Sequence, residues 1–177
     1  MDQINELRST LPDEAKDLKL NIQGVLRPDA LTEHQAWGCA LASAFFIKDL
    51  DLAAAVGEDA AAAGVPDATL EDARAAAAIM GMNTVYYRFK HMMKHHKDGY
   101  ENLPAQLRMN RMAKVASTKQ DFELFSMSCA ALAGCELCIT MHEKSILHEG
   151  GSEAAVHDAV RVAAAVNGFS VALTLGS

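Results

Sequence analysis

The sequence predicts an all-α fold, a single helical domain with an internal duplication. Three observations carry that prediction. Alanine recurs throughout while proline occurs only four times. No stretch alternates apolar and polar residues over the length of a strand. Several apolar segments open on residues that start helices. The 177 residues suit one domain, 1–177, long enough to bury a core. With 50% hydrophobic and 22% charged residues, the composition is that of a folded chain.

Taken in order, "LTEHQAWGCALASAFFI" (Leu31 to Ile47) begins with Thr32 as N-cap and Gln35 three residues on, the pattern of a capping box. "TLEDARAAAAIMGMNTVYYRF" (Thr69 to Phe89) opens on Thr69, with Glu71 and Asp72 in the first turn. The run "FKHMMKHHK" (Phe89 to Lys97) reads as a solvated helix end rather than a binding site. "DFELFSMSCAALAG" (Asp121 to Gly134) reads as a helix, and "SEAAVHDAVRVAAAVNGFSVAL" (Ser152 to Leu173) as another that opens after Gly150 and Gly151.

Two of these segments match each other. A shift of 87 positions lays "GVPDATLEDARAAAAIMG" (64–81) over "GSEAAVHDAVRVAAAVNG" (151–168). Gly64 falls on Gly151, Glu71 on Asp158, Arg74 on Arg161 and Gly81 on Gly168. Two copies make no solenoid, so the expectation is one domain with related halves, about 33–86 and 120–173.

The formal net charge of −7 argues against nucleic acid as a partner. The first residues are acidic and lack the cationic lead of a secretory signal. No window of 18 residues is apolar enough for a membrane span. The expected location is cytoplasmic, where a CxxC pair is catalytic or metal-binding rather than a structural staple.

Such a pair occurs in "LAGCELCITMHE" (132–143): Cys135, Cys138 and, four residues on, His142. On one continuous helix the three share a face, and His142 lies one turn beyond Cys138. An imidazole there can take the thiol proton and leave the nucleophilic thiolate. Gly134 marks a point where the helix can break, which would put the dithiol in a first helical turn and favour a thiolate. Upstream, Glu123 stands near a helix start, either complementing the dipole or orienting His142. At the 87-residue shift, Glu123, Cys135, Cys138 and His142 fall on Ala36, Lys48, Asp51 and Ala55. The scaffold therefore does not require them.

A structural zinc site competes with this reading, but it needs four ligands. Cys39 and Cys129 sit singly in apolar runs and read as core residues, and His148 falls on another helix face. A thioredoxin fold would need strands around the CxxC. The methionines of "MGM" (80–82) and "RMNRM" (108–112), with Trp37, Phe45 and Phe46, read as core or subunit contacts rather than substrate binders.

The run "FELFSMSCAALAGCELCITMHE" (122–143) resembles the active-site region of the alkyl hydroperoxidase D family, within the carboxymuconolactone decarboxylase-like superfamily. The resemblance extends through "AAAIMGMNTVYYRF" (76–89), "LRMN" (107–110) and "LPDEAKDLKLNI" (11–22). It implies a duplicated all-helical core, a homo-oligomer (a trimer or a multiple of it) and a thiol-dependent hydroperoxide reductase without bound metal, flavin or other cofactor. By the same resemblance Cys138 is the sulfur that peroxide oxidises. Cys135 donates a proton and resolves the product to a Cys135–Cys138 disulfide, His142 is the base and Glu123 orients it. The implied reductant is dihydrolipoamide, carried on the lipoylated acyltransferase of a 2-oxoacid dehydrogenase complex. The implied partner is the peroxiredoxin alkyl hydroperoxide reductase C. One departure is Leu137, where some relatives place a histidine between the cysteines. Three other readings stand beside this one: a decarboxylase of the same superfamily, in which a CxxC is not expected; an electron-relay adaptor that recycles a peroxiredoxin; and a zinc-stabilised interaction module.

Overall fold

The computed structural model describes residues 1–95 and 99–176, and among them all regular structure is helical. The helices are α1 (Asp2–Thr10), α2 (Lys16–Val25), α3 (Glu33–Phe46), α4 (Leu50–Ala62), α5 (Asp67–Met92), α6 (Lys119–Ala133), α7 (Glu136–His148) and α8 (Glu153–Leu173). His96 and Lys97, which close the basic-looking run, lie outside the described residues.

Local chemistry sets the helix starts. Thr32 caps α3 by accepting from the Gln35 N–H at 3.2 Å, while the Gln35 side chain accepts from the Thr32 N–H at 2.9 Å, which completes the expected capping box. Ser152 caps α8 through the Ala155 N–H at 3.1 Å. Helix α5 begins at Asp67 rather than Thr69, because Pro66 at its N-cap fixes the entry (φ −60°) and accepts the Thr69 N–H at 2.9 Å. Helix α6 begins two residues before Asp121, capped by Thr118 through the Asp121 N–H at 3.0 Å.

Helices α3 and α6 form the centre. Every residue from Ala36 to Ala44, and every residue from Phe122 to Ala130, is buried, so both are enclosed on all sides. They approach so closely that a Cβ built on Gly38 would overlap the Phe125 ring. Among the described residues, helices α5 and α8 each pack on both members of this pair; α4 packs on α3, and α7 packs chiefly on α6 and α5. Helix α1 lies against α4, and α2 against α8.

Corresponding helices open 86 residues apart: Glu33 and Lys119, Leu50 and Glu136, Asp67 and Glu153. This differs by one from the shift of 87 read from the sequence. Alanine-rich helices align almost as well one residue out, and the pair Gly150-Gly151 offers both registers. The backbone distinguishes them, since Gly64 and Gly150 share a positive φ (80° and 86°), as do Lys48 and Gly134 (65° and 61°). In this register Glu123, Cys135, Cys138 and His142 stand where the first half has Trp37, Asp49, Leu52 and Val56.

Two buried carboxylates tie the halves together. Asp72 of α5 accepts from the Ala116 and Ser117 N–H groups (2.9 and 2.7 Å), just before α6, and from Arg111 at 2.5 Å. Asp158 of α8 accepts from the Ala30 N–H (3.0 Å), just before α3, and from Arg161 at 2.7 Å. Each half fastens the entry to the other's central helix.

Candidate active site

Gly134 ends α6 in the left-handed region, and the Gly134 and Cys135 N–H groups return to Ala131 and Ala130 carbonyls at 3.0 and 3.2 Å. The chain then restarts at once. Cys135 is extended (φ −91°, ψ 93°) and is the N-cap of α7, its sulfur accepting the Cys138 N–H at 3.4 Å. Cys135 is therefore not on the helix that carries Cys138 and His142, so the shared-face argument holds only for those two. The expectation of a first-turn dithiol at a helix start is met. The two sulfurs are joined as a Cys135–Cys138 disulfide, with Cα atoms 5.3 Å apart.

Behind the dithiol, the buried Glu123 links His142 to the half-buried Lys119. The imidazole Nδ1 of His142 is 2.6 Å from Oε2 of Glu123, and Oε1 of Glu123 is 2.6 Å from Nζ of Lys119. The structure thus brings Glu123, 19 positions upstream, directly onto His142. Burial would raise the Glu123 carboxyl, but hydrogen bonds and charge from His142 and Lys119 outweigh it and hold the group below the usual carboxylate range. An Nδ1–H that donates to this carboxylate leaves Nε2 as the acceptor, on the face where Cys138 lies one turn away. Lys119 was not singled out from the sequence. Its signal is the i,i+4 spacing to Glu123. Its ammonium also donates to the Met112 carbonyl at 3.1 Å.

His142 and Lys119 face a cavity of about 880 Å³ between α5, α7 and the connection that precedes α6. Cys138 and His142 line it, whereas Cys135 is fully buried and does not. Helix α5 contributes Met80, Asn83 and Tyr87 at i, i+3, i+7 spacing; the connection contributes Met109 and Met112. Met80 is fully buried and Met112 packs against the core, as expected; Met80, Met109 and Met112 also wall the cavity at the candidate nucleophile. Leu137, between the two cysteines, adds apolar wall. Asn83 is a further residue that sequence reasoning passed over. Its amide donates to the Met112 sulfur at 3.8 Å while its carbonyl oxygen has no partner among the described residues.

The other cysteines have no such setting. Burial pushes the Cys39 thiol up to about 12, and burial with Cys39 nearby pushes Cys129 up further. Both are fully buried core residues. His148 is exposed and lies 3.7 Å from the Glu149 carboxylate. Among the described residues no group of three or more His, Cys, Asp or Glu side chains is arranged to hold a metal ion. No helix among them is long and apolar enough to cross a membrane.

Comparison with known proteins agrees with this geometry. Residues 99–175, which carry the dithiol, His142 and Glu123, match the model of the Carboxymuconolactone decarboxylase family. Over 176 residues the chain is 48% identical to the alkyl hydroperoxide reductase AhpD of Anaeromyxobacter sp. (strain Fw109-5), covering 99% of this chain and 94% of that one. It is 42% identical over 172 residues to the AhpD of Solibacter usitatus (strain Ellin6076), covering 97% and 95%. With the AhpD of Rhodospirillum centenum (strain ATCC 51521 / SW) the identity is 41% over 170 residues, covering 96% and 90%. Similarity of that extent, on a helical scaffold with this dithiol, shows that the chain belongs to the AhpD family within the carboxymuconolactone decarboxylase-like superfamily.

Proposed function

We propose that this protein is a cytoplasmic, thiol-dependent alkyl hydroperoxide reductase in which Cys138 attacks the peroxide. One observation carries the reading: Cys138 opens onto an apolar cavity beside a His142–Glu123 pair, while Cys135 is closed off behind it. With both cysteines reduced, His142 takes the Cys138 proton and the thiolate attacks the distal oxygen of R–O–O–H. The O–O bond breaks, and Cys138 becomes a sulfenic acid. The alkoxide takes a proton from Cys135, whose thiolate then displaces hydroxide from the Cys138 sulfur. The protonated His142 returns a proton to that hydroxide. The balance is two thiols and R–O–O–H giving a disulfide, R–OH and water. Glu123 holds the ring in the required tautomer and compensates its positive charge, and Lys119 holds Glu123.

Dihydrolipoamide, presented on the lipoylated acyltransferase of a 2-oxoacid dehydrogenase complex, restores the dithiol by thiol–disulfide exchange. An apolar cavity suits the hydrocarbon arm of a lipoyl group as well as an alkyl hydroperoxide. The same dithiol passes electrons to the peroxiredoxin alkyl hydroperoxide reductase C. Exposed apolar side chains along α5, Val85, Phe89 and Met92, support homo-oligomeric assembly, a trimer or a multiple of it.

The test is titration of the reduced protein with one equivalent of an organic hydroperoxide, counting thiols before and after. The expected result is loss of two thiols with a linked Cys135–Cys138 peptide, and no peroxide consumption by Cys138→Ser. Cys135→Ser is expected to leave a sulfenic acid that a dimedone-type probe traps. No loss with hydroperoxide, but ready oxidation by lipoamide disulfide or by a disulfide-form peroxiredoxin, would make the protein an electron-relay adaptor instead.

A further inference from the structure

Among the described residues three buried side-chain atoms lack a hydrogen-bond partner: Trp37 Nε1, Ser126 Oγ and Asn83 Oδ1. Trp37 and Ser126 belong to the buried central helices. Asn83 alone of the three lines the cavity that Cys138 faces. Its side chain is 5% exposed and is held by the bond from its amide nitrogen to the Met112 sulfur, so the carbonyl oxygen is the half left over. A buried carbonyl without a donor carries an uncompensated desolvation cost. Of the other lining side chains, Met80, Tyr87, Met109 and Met112 are apolar apart from the Tyr87 hydroxyl, and the polar Lys119 and His142 are engaged with Glu123. A ligand that fits must therefore bring one neutral donor on an apolar body.

We infer that Asn83 is a substrate-binding residue whose carbonyl oxygen accepts the O–H of the hydroperoxide, with the alkyl group lying against the methionines. The inference rests on the peroxide-reductase reading above. A hydroperoxide has one donor, the hydrogen on its distal oxygen, and that oxygen is the one sulfur attacks. As the S–O bond forms and the O–O bond breaks, two electrons pass from sulfur to the proximal oxygen, which leaves as alkoxide and takes the Cys135 proton. The distal oxygen keeps its hydrogen throughout, first as R–O–O–H and then as Cys138 S–O–H. Asn83 holds the same hydrogen before and after the transfer and aims the distal oxygen at the thiolate. A disulfide has no such hydrogen, so exchange with lipoamide gains nothing from Asn83.

The experiment compares reduced wild type with Asn83→Leu, which keeps the branched shape and removes the acceptor, and with Asn83→Ala, in case the bulkier leucine does not fit. Each is oxidised in stopped flow by cumene hydroperoxide and, separately, by lipoamide disulfide. The expected result is a second-order rate lowered about tenfold for the hydroperoxide, as for loss of one hydrogen bond, with the lipoamide rate changed by less than about twofold. Unchanged hydroperoxide rates in both variants overturn the inference. Equal losses toward both oxidants also overturn it, since they mark a structural role. A wild type inert to hydroperoxide but reactive with lipoamide removes the peroxide reading itself, and that measurement alone identifies the case.

Discussion

Glu123 is a charged side chain, 3% exposed, on a helix whose neighbouring positions are apolar. It is tolerable there because Lys119 and His142 each take one of its oxygens. Its folded pKa is held below its unfolded one, so the linkage has a definite sign. The stabilisation is present above the unfolded carboxylate value of about 4.3 and is lost as pH falls through the lower folded value. Glu123→Gln should therefore be less stable than wild type at neutral pH, and the gap should close in acid, below about pH 4. Denaturant melts of both proteins across pH 2–7 (about the range carboxylates titrate over) check this. The same variant should slow peroxide-driven thiol loss by about 100-fold, since the base loses its orienting charge. Spacing alone made Cys138 and His142 legible, because residues four apart on a helix must meet. Glu123 was legible only as an open alternative until the family resemblance spoke for it. Lys119 left only its i,i+4 spacing to Glu123 as a trace, and Asn83 left none. What joins them to the site is the return of α7 and of the 99–118 connection over α5 and α6, and no local pattern records that.

Among the elements, the α6–α7 junction does most to define the site. A left-handed residue at position 134 turns the chain so that Cys135 caps α7 instead of continuing α6. The equivalent α3–α4 junction makes the same turn with Lys48 at φ 65°, and there Asp49 caps α4 through the Leu52 N–H at 3.0 Å. A side chain in this conformation costs about 1 kcal/mol relative to glycine. Lys48→Gly should accordingly raise stability by about 1 kcal/mol and Gly134→Ala should lower it by a similar amount, since nothing crowds a Cβ at 134. Equilibrium denaturation reads both. Caps made by a side chain to its own turn, as at Thr32 and Ser152, could be read directly from sequence. The start of α5 was misplaced because Thr69 looks like a cap while Pro66 sets the turn. The connection from 99 to 118 has no hydrophobic period, and Asp72 holds its end through backbone groups that look alike in any sequence.

At the scale of the molecule, α3 and α6 meet where Gly38 faces the Phe125 ring. Gly38→Ala should push the pair apart and destabilise by about 1–3 kcal/mol. Phe125→Leu should cost stability alone yet recover part of the loss when combined with Gly38→Ala, and a double-mutant cycle on unfolding free energies measures that coupling. The all-helical class was evident from composition and capping. The sequence could not tell a methionine that fills the core from one that walls a cavity, because both are apolar and largely hidden from solvent. The paired carboxylates, finally, bear on how the chain is made. The segment entering α3 is pinned by Asp158, which belongs to the last helix and is synthesised 128 residues after its partner Ala30. A nascent chain emerging N-terminus first can coil its early helices but cannot fasten the first central one. Closure of the whole waits on the C-terminal helix, so a truncated product lacking α8 would keep its first half open and present itself to proteases as unfinished.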